Sequence, residues 1–166
     1  MTVRESDIHK VRRILCPVDG SESSRRVVAW YLNKFSRKTD VLLCLYITEP
    51  HFSRHIIDDD FTEMVSELKN RIHESEKTGR EIGKQYMDRL REHGIDGRFL
   101  LRTGTKPGEL IVSAAEDQCV DMILIGNRGI SALRRTFLGS VSDYVLHHSN
   151  VPVVLVPPPD PLDAES

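Results

Sequence analysis

The stretch DMILIGNRGISALRRTFLGSVSDYVLHHSNVPVVLVP, residues 121–157, decides the fold. It opens with a short apolar run, 121–125, that ends at Gly126, which is the pattern of a buried parallel strand whose carboxyl end opens into a loop. A helical pattern begins at Ser140, and a second apolar run follows at 151–156. The order strand, loop, helix, strand predicts a unit of a parallel α/β sheet.

The loop of this stretch carries the spacing G-x2-G-x9-G-S, formed by Gly126, Gly129, Gly139 and Ser140. Glycine lets a backbone approach a ligand closely. A helix that starts at Ser140 would present unpaired backbone N–H groups and a positive dipole end. The loop and the helix start therefore predict a phosphate cradle, with the hydroxyls of Ser140 and Ser142 as additional donors.

The same residues also fit a purely structural interpretation. Glycines in such a loop often mark only a turn or a helix cap. Ser140 and Asp143 also have the spacing of a capping box. Spacing alone leaves both interpretations open, and the rest of the chain has to separate them.

Composition excludes several classes of function. At 166 residues and 18.9 kDa the chain has the length of one domain. Its 23 basic and 25 acidic residues give a net charge of −2, which favours neither nucleic acid nor an anionic membrane as a partner. No apolar run is long enough to cross a bilayer, and residues 1–13 show no signal pattern. We expect a soluble, cytoplasmic protein.

Periodicity divides the chain into alternating strands and helices. Strands are predicted at 13–18, 41–47, 98–102, 121–125 and 151–156, and helices at 22–37, at 61–92, from Pro107 and from Ser140. This order predicts an open sheet of five parallel strands with helices on both faces. Ligands of such sheets bind beyond the carboxyl ends of the strands, so Asp19 and Gly126 should meet there.

The ends and one loop lie outside this pattern. We expect a polar leader at 1–10, one domain at 11–157, and a proline-rich disordered tail at 158–166. The loop 48–60 contains His51, His55 and three aspartates, which could gather around a metal ion. Because Pro50 and the lack of a helical period oppose that arrangement, we predict a solvated loop and no metal site.

The three cysteines, Cys16, Cys44 and Cys119, are widely spaced and form no C-x-x-C pair. Two of them lie inside apolar strand-like runs. We therefore predict that all three are reduced core residues rather than a redox or metal site.

The glycine loop, the segment GSVSDYV, His147-His148 and the final apolar run together resemble the nucleotide-binding end of the universal stress protein family. ATP-binding members of that family carry G-x2-G-x9-G followed by Ser or Thr, and the spacing here matches. The resemblance covers residues 11–157. It implies a single Rossmann-like α/β domain, similar to the adenine nucleotide alpha hydrolases, with strand order 3-2-1-4-5.

The resemblance also implies an ATP site, with AMP or ADP as alternative ligands. Adenine would lie near Pro17, Val18 and Asp19, and near Val41 at the start of the second strand. Asp19 would bind the ribose, since a carboxylate at a strand end accepts hydrogen bonds from two adjacent hydroxyls. The triphosphate, with Mg²⁺ or Mn²⁺ carried by the nucleotide, would lie against Gly126, Arg128, Gly129, Gly139, Ser140, Val141 and Ser142.

The basic residues of the loop differ in their expected roles. A guanidinium at Arg128 would contact phosphate bidentately and strengthen the site. Arg134 and Arg135 lie inside the x9 segment, where we expect them to be solvated rather than bound to phosphate.

No catalytic residue is predicted. The Walker pattern, G-x-G-x-x-G and the kinase signatures are absent, and no base is evidently positioned, so hydrolysis should be slow at most. His147 and His148 are expected to pack or cap a helix end. The resemblance thus implies a nucleotide-regulated stress-response and interaction module.

The last strand, 151–156, is apolar and lies at an edge of the implied sheet, so pairing with its copy would form a homodimer. Two alternatives remain. One is a dimeric interaction module of the same fold that works without nucleotide. The other is a nucleotide-hydrolysing enzyme, which is disfavoured because DGSESS after the first strand matches the S-G-G-x-D-S loop of ATP pyrophosphatases poorly.

Overall fold

The computed structural model describes residues 11–50, 61–127 and 138–158. The predicted leader, the loop residues 51–60 and the tail from residue 159 lie outside these ranges. The elements in chain order are β1 (Arg12–Pro17), α1 (Glu22–Trp30), β2 (Asp40–Thr48), α2 (Phe61–Glu92), β3 (Asp96–Thr103), α3 (Pro107–Asp117), β4 (Met122–Gly126), α4 (Ser140–His148) and β5 (Val153–Val156).

The five strands form one parallel sheet in the order β3-β2-β1-β4-β5, which confirms the predicted fold class. The strand limits lie within two residues of the predicted ones. Strands could be found this well because their apolar runs end sharply at glycine, proline or charged residues.

Helices cover both faces of the sheet, and each face has its own core. Cys16 and Leu124 point to one side, where they pack with residues of α1 and α2. Leu15, Leu43 and Ile123 point to the other side, where α3 and α4 cover them. Since successive side chains of a strand face opposite ways, a strand that is covered on both faces has to be apolar throughout.

The first helix begins as predicted and ends earlier. Ser21 is its N-cap, and its hydroxyl accepts a hydrogen bond from the Ser24 N–H at 3.2 Å. A π-helical turn, Tyr31–Phe35, continues α1, and the Ser36 N–H donates to the Tyr31 carbonyl five residues back. The next N–H, of Arg37, donates to a carboxylate instead, so the helical segment stops at residue 35 rather than at the predicted 37.

The long helix α2 occupies the predicted range. Two glycines within it, Gly79 and Gly83, allow close packing against the sheet. A Cβ at Gly79 would meet the ring of Tyr46, and one at Gly83 would meet the ring of Phe99. Although α2 has 32 residues, neither it nor another helix in the described ranges is both long and apolar enough to cross a membrane.

Two of the three cysteines are core residues. Cys16 and Cys44 are fully buried at paired positions of β1 and β2. Burial raises the pKa of both thiols, that of Cys44 to about 12. The prediction that Cys119 is a core residue is wrong, although its thiol is free. This residue is exposed in the turn after α3 with φ of 47°, and its neighbour Val120 is buried instead.

At the amino end of the sheet, a network of charged and polar side chains joins β1, β2 and the helical segment between them. The carboxylate of Asp40, which is 0% exposed, accepts hydrogen bonds from Arg12 Nη2 at 2.7 Å and from the Tyr31 hydroxyl at 2.8 Å. Arg12 also lies over the Phe35 ring, 4.5 Å from its centroid. Burial alone would raise the pKa of Asp40, but hydrogen bonds from Arg12, the Arg37 N–H and Tyr31 outweigh it and lower that pKa.

Candidate functional site

A cavity of about 230 Å³ lies beyond the carboxyl ends of β1, β2 and β4. It lies where strand order reverses, since β1 pairs with β2 on one side and with β4 on the other. The structure therefore brings together two stretches about 120 residues apart, after β1 and around α4. The residues predicted for the site that line the cavity are Pro17, Val18, Asp19, Gly126, Gly139, Ser140, Val141 and Ser142.

The structure does not bring Val41 to this cavity. Val41 pairs with Arg13 near the amino end of β2, so the length of the strand, about 20 Å or more, separates it from the carboxyl end. Instead, Leu45 and Ile47 of β2 and Glu49, which follows the strand, line the cavity. The sequence could have indicated these residues, because a crevice beyond the carboxyl ends of parallel strands is lined by the last residues of each strand and by those that follow it.

Four residues considered for the phosphate loop fall outside the described residues. They are Arg128, Gly129, Arg134 and Arg135. The two sides of the loop, at Asn127 and at Leu138, are described.

Hydrogen bonds from two elements fix Asn127, the residue at which the chain leaves β4 and enters the loop. The backbone N–H of Asn127 donates to the Val156 carbonyl of β5 at 3.0 Å. The backbone carbonyl of Asn127 accepts a hydrogen bond from Arg26 Nη2 of α1 at 3.0 Å. Arg26 Nη2 also donates to Ser23 Oγ at 3.3 Å. Arg26 gave no signal in the sequence because its partner lies 101 residues away. The chain therefore leaves β4 in a defined direction.

The turn after β1 holds Asp19 at the cavity. One carboxylate oxygen of Asp19 accepts a hydrogen bond from the Ser21 N–H at 3.0 Å. The Ser24 hydroxyl joins this turn to α2, since it lies 3.4 Å from the Asp19 nitrogen and 3.0 Å from the Tyr86 hydroxyl. Burial raises the pKa of Tyr86, so its hydroxyl stays protonated and able to donate. The turn that caps α1 is thus also the turn that presents the carboxylate.

The start of α4 presents backbone N–H groups. Its N-cap is Gly139, without a side-chain cap, and the first helical hydrogen bond runs from the Asp143 N–H to the Gly139 carbonyl at 2.9 Å. The N–H groups of Ser140, Val141 and Ser142 precede that bond, which is the arrangement that binds anions at helix ends.

Two predictions about the serines of α4 need correction. The capping box between Ser140 and Asp143 is wrong, because Ser140 is the first helical residue and not the cap. The hydroxyl of Ser142 donates to the Gly139 carbonyl at 2.9 Å, so its proton is already used inside the helix. The anion-binding capacity of this helix end therefore rests on its backbone and on the exposed hydroxyl of Ser140, which lines the cavity.

The chemistry of the cavity changes across the sheet. On the β2 side the wall is apolar, with residues from β1, β2 and α3 that include Val18, Leu45, Ile47, Pro107 and Ile111. On the β4 side the lining consists of Ile125, Gly126 and the start of α4, where backbone N–H groups are exposed. Asp19 lies between them, in the turn after the central strand β1. The arrangement suits an elongated ligand with an apolar ring at one end, hydroxyl groups in the middle and an anionic group at the other end.

Few described groups at the cavity can move a proton. Among the described residues that line the cavity, Asp19 and Glu49 are the only ones with acidic or basic side chains. His148 is at the far end of α4, where its ring stacks on Tyr144 at 3.9 Å and its Nδ1 lies 2.8 Å from the Tyr144 carbonyl. This confirms the predicted packing role of one histidine. Within the described ranges, no three His, Cys, Asp or Glu side chains cluster in a way that could hold a metal ion.

A model of the universal stress protein family matches residues 10–157. The universal stress protein MJ0577 of Methanocaldococcus jannaschii is 30% identical over 157 residues, which cover 87% of this chain and 94% of that protein. Sll1388 of Synechocystis is 26% identical over 149 residues, covering 87% of this chain and 96% of that one.

Solved structures share the fold. The MJ0577 structure has a TM-score of 0.68 at 30% identity and covers 90% of this chain and 97% of its own. A universal stress protein from Arabidopsis thaliana with AMP bound has a TM-score of 0.63 at 19% identity, with 93% and 96% of the two chains covered.

Proposed function

The chain belongs to the universal stress protein family, and we propose that it binds an adenine nucleotide in the cavity beyond β1 and β4 as a nucleotide-regulated stress-response module. The observation that carries this proposal is the cavity itself. Its apolar wall, the carboxylate of Asp19 and the N–H groups at the start of α4 follow one another across the sheet in the order base, ribose, phosphate.

The two glycines described at the phosphate end support the proposal unequally. A Cβ at Gly126 would lie 2.7 Å from Val27 Cγ2, so helix packing alone accounts for this glycine. At Gly139 the φ of −67° suits any residue, and the nearest atom to a Cβ among the described residues is Ser142 Oγ at 3.7 Å. Folding therefore does not demand glycine at 139, whereas close approach of a phosphate to the backbone would.

We propose ATP as the ligand, with Mg²⁺ or Mn²⁺ carried by the nucleotide and with Arg128 and Gly129 completing the phosphate site. The AMP bound by the Arabidopsis protein belongs to a chain that shares only the fold at 19% identity. That structure supports an adenine nucleotide as the ligand class and does not distinguish ATP from AMP. Because no histidine is among the described residues that line the cavity, we propose binding with at most slow hydrolysis, and a nucleotide-dependent interaction as the output.

Two substitutions of Ser140, the exposed first residue of α4, test the proposal, because the new side chains have the same shape and differ only in charge. Ser140→Asp adds a negative charge where the helix dipole favours one, so the fold should be unaffected. That charge would repel phosphate, so titration calorimetry with Mg-ATP should show at least a tenfold loss of affinity, about 1.4 kcal/mol. Ser140→Asn, with the same shape and no charge, should bind nearly as well as the wild type.

Two results would contradict the proposal. Wild-type protein that is folded and binds neither ATP nor AMP would favour the nucleotide-independent interaction module. Equal binding by the Asp and Asn variants would remove the start of α4 from the phosphate site.

We also propose a homodimer that forms through β5. The two edges of the sheet differ in charge, because β3 carries Asp96, Arg98 and Arg102, whereas β5 is VVLV. Charges on an edge strand discourage pairing with another chain, and an apolar edge without them invites it.

The hydrogen bonds of β5 indicate how a substitution can test the dimer. The carbonyl of Pro152 accepts from the N–H of Ile123 in β4 at 2.9 Å, and that of Val156 accepts from the N–H of Asn127, directly after β4, at 3.0 Å. Because peptide groups alternate along a parallel strand, those of Val153 and Leu155 point away from β4 to the free edge. Val153→Pro removes one outward donor without touching the ladder. Sedimentation equilibrium should give a dimer for the wild type and monomer for the variant, and a monomeric wild type would contradict the proposal.

A cytoplasmic location is part of the proposal. Cys16 and Cys44 occupy paired positions of neighbouring strands as free thiols. Free cysteines are the usual state in a reducing compartment. Fractionation of the source cells with an antibody to the protein would test this location.

A further inference from the structure

Ser23 lines the cavity, and the proposed function assigns it no role. It is the second residue of α1, and its hydroxyl lies beside Gly126, since a Cβ on that glycine would be 2.9 Å from Ser23 Oγ. Gly126 ends β4 and also lines the cavity. The Ser23 hydroxyl is therefore on the β4 side of the cavity, to which we assign the phosphate groups, and not at the apolar wall.

The hydroxyl of Ser23 accepts a hydrogen bond within the fold and still has its own proton. Arg26 Nη2 donates to Ser23 Oγ at 3.3 Å and to the Asn127 carbonyl at 3.0 Å. A serine hydroxyl that accepts a hydrogen bond can also donate one. No acceptor for the Ser23 proton is seen in the described ranges. Ser142 differs in this respect, because its proton goes to the Gly139 carbonyl.

The guanidinium of Arg26 makes the surroundings of this hydroxyl positive. Both hydrogen bonds of its Nη2 go to uncharged oxygens, and no ion pair of Arg26 is seen among the residues that the structure describes. Two contacts of about 3 Å each would separate the guanidinium from a ligand atom at the Ser23 hydroxyl, which is less than the Debye length of about 8 Å at physiological salt. A hydroxyl donor beside an unpaired cation favours an anionic acceptor over a neutral one.

We infer that Ser23 is a further phosphate-binding residue, whose hydroxyl donates to a phosphate oxygen of the bound nucleotide. Arg26 is its positioning residue, because it occupies the acceptor side of the hydroxyl and leaves the proton for the ligand. This inference rests on the proposed function, since it names a binding residue of the same cavity. The contact between Ser23 and Arg26 could also serve only to support α1. The two roles differ in their effect on adenosine, which has the base and ribose of ATP and no phosphate.

The experiment compares the affinities of Mg-ATP and adenosine by titration calorimetry, with adenosine measured by its competition with ATP. In Ser23→Ala the affinity for ATP should fall about tenfold, as expected for the loss of a hydrogen bond to a charged group. The affinity for adenosine should not change, so the ratio of the two affinities should also fall about tenfold. A general disturbance of the cavity would instead weaken both ligands.

Ser113→Ala is the matched control. Ser113 is also a helical residue whose hydroxyl accepts a hydrogen bond from an arginine, Arg102 Nη1, at 3.2 Å, and it is not among the described residues that line the cavity. This variant removes the same atoms and the same kind of contact from α3. Its ratio of ATP to adenosine affinity should equal that of the wild type.

Combined variants test the role of Arg26. If Arg26 acts through the hydroxyl, Ser23→Ala should weaken ATP binding less in an Arg26→Met background than in the wild type, about threefold instead of tenfold. Arg26→Lys retains a charged donor and should restore the full effect of Ser23→Ala. Should Arg26→Met not fold, Arg26→Gln, which also lacks the charge, replaces it with the same expectation.

The outcomes separate this inference from the function on which it rests. If the wild type binds neither ATP nor adenosine, the proposed function fails and the inference fails with it. If the wild type binds ATP and Ser23→Ala keeps the wild-type ratio, nucleotide binding stands and the role of Ser23 is refuted. An equal fall of the ratio in Ser113→Ala refutes it as well. An effect of Ser23→Ala that is the same in both backgrounds refutes the positioning role of Arg26.

Discussion

The two ends of the sheet use their polar groups differently. At the amino end, Asp40 is buried and its oxygens accept hydrogen bonds from Arg12, Tyr31 and the Arg37 backbone, so the charge is paired within the fold. At the carboxyl end, Asp19 and the first N–H groups of α4 border a cavity. One end uses its polar groups to join elements, and the other, in our proposal, presents them to a ligand.

Buried atoms without a hydrogen-bond partner follow the same division. Among the described residues, three of the four such side-chain atoms, Arg26 Nε, Thr48 Oγ1 and Asn127 Oδ1, are at the carboxyl end, and Arg13 Nε is at the amino end. A buried polar atom left unpaired reduces stability. The carboxyl end is therefore the less optimised end for folding, which is common at binding sites. Substitutions at the two ends should consequently separate stability from ligand binding.

The largest effect is expected at the amino end. Asp40→Ala leaves the Arg12 guanidinium, whose side chain is 13% exposed, without its partner. It should lower the free energy of unfolding by roughly 3–5 kcal/mol. Urea unfolding followed by circular dichroism measures this loss, and ATP affinity of the folded fraction should stay unchanged.

Asp117→Ala provides the matched control for Asp40. Asp117 also pairs with an arginine, Arg102, at 2.6 Å, but its side chain is 56% exposed. Solvent screens this pair, so the loss should be at most about 1 kcal/mol. Similar losses for the two variants would contradict the view that burial makes the amino-end network strong.

The second effect comes from a glycine at the carboxyl end that serves folding. In Gly126→Ser the new Cβ would lie 2.7 Å from Val27 Cγ2 and 2.9 Å from Ser23 Oγ. Such overpacking should lower the free energy of unfolding by about 1–3 kcal/mol. Thermal unfolding would detect it. An unchanged stability would show that α1 can move away from β4 without cost, and Gly126 would then have to be explained by the ligand.

The same substitution at Gly139 should have the opposite pattern. Serine is a favourable N-cap, so Gly139→Ser should leave the stability unchanged or raise it by a few tenths of a kcal/mol. The capping oxygen would, however, accept a hydrogen bond from an N–H of α4 that we assign to phosphate. We expect about a tenfold weaker affinity for Mg-ATP by calorimetry. Undiminished affinity would show that phosphate does not use these N–H groups.

The comparison also explains which features the sequence alone could predict. Strand order at the site, and the meeting of Asp19 with Gly126, follow from rules about parallel sheets that hold for any α/β domain. Val41 was misassigned because it begins β2, and the beginning of a parallel strand lies at the opposite end from the cavity. The same rule would have indicated Ile47 and Glu49 instead.

The amino-end network had no comparable signal. Arg12 and Asp40 are 28 residues apart, and each looks like an ordinary charged residue beside a strand. Their pairing depends on the register of β1 and β2, in which Arg12 lies opposite Asp40. The π-helical turn next to them depends on the same carboxylate, since Asp40 binds the Arg37 N–H. Periodicity reports the face of an element and carries no information about such contacts between elements.

The smallest effect concerns a polar contact at the carboxyl end that supports the fold. Tyr86→Phe removes the hydroxyl that lies 3.0 Å from Ser24 Oγ, which joins α2 to the turn carrying Asp19. Ser24 keeps its hydrogen bond to the Ser21 carbonyl at 3.1 Å, so the loss should be about 1 kcal/mol. Tyr46→Phe, a substitution in β2, should lower the free energy of unfolding by less, because no hydrogen bond of the Tyr46 hydroxyl is seen among the described residues. If Tyr86→Phe weakens ATP binding more than it lowers stability, then α2 positions Asp19 for the ligand. The contrast would then not be between an end of the sheet for folding and an end for binding. It would be between polar groups that touch the cavity and polar groups that hold them in place.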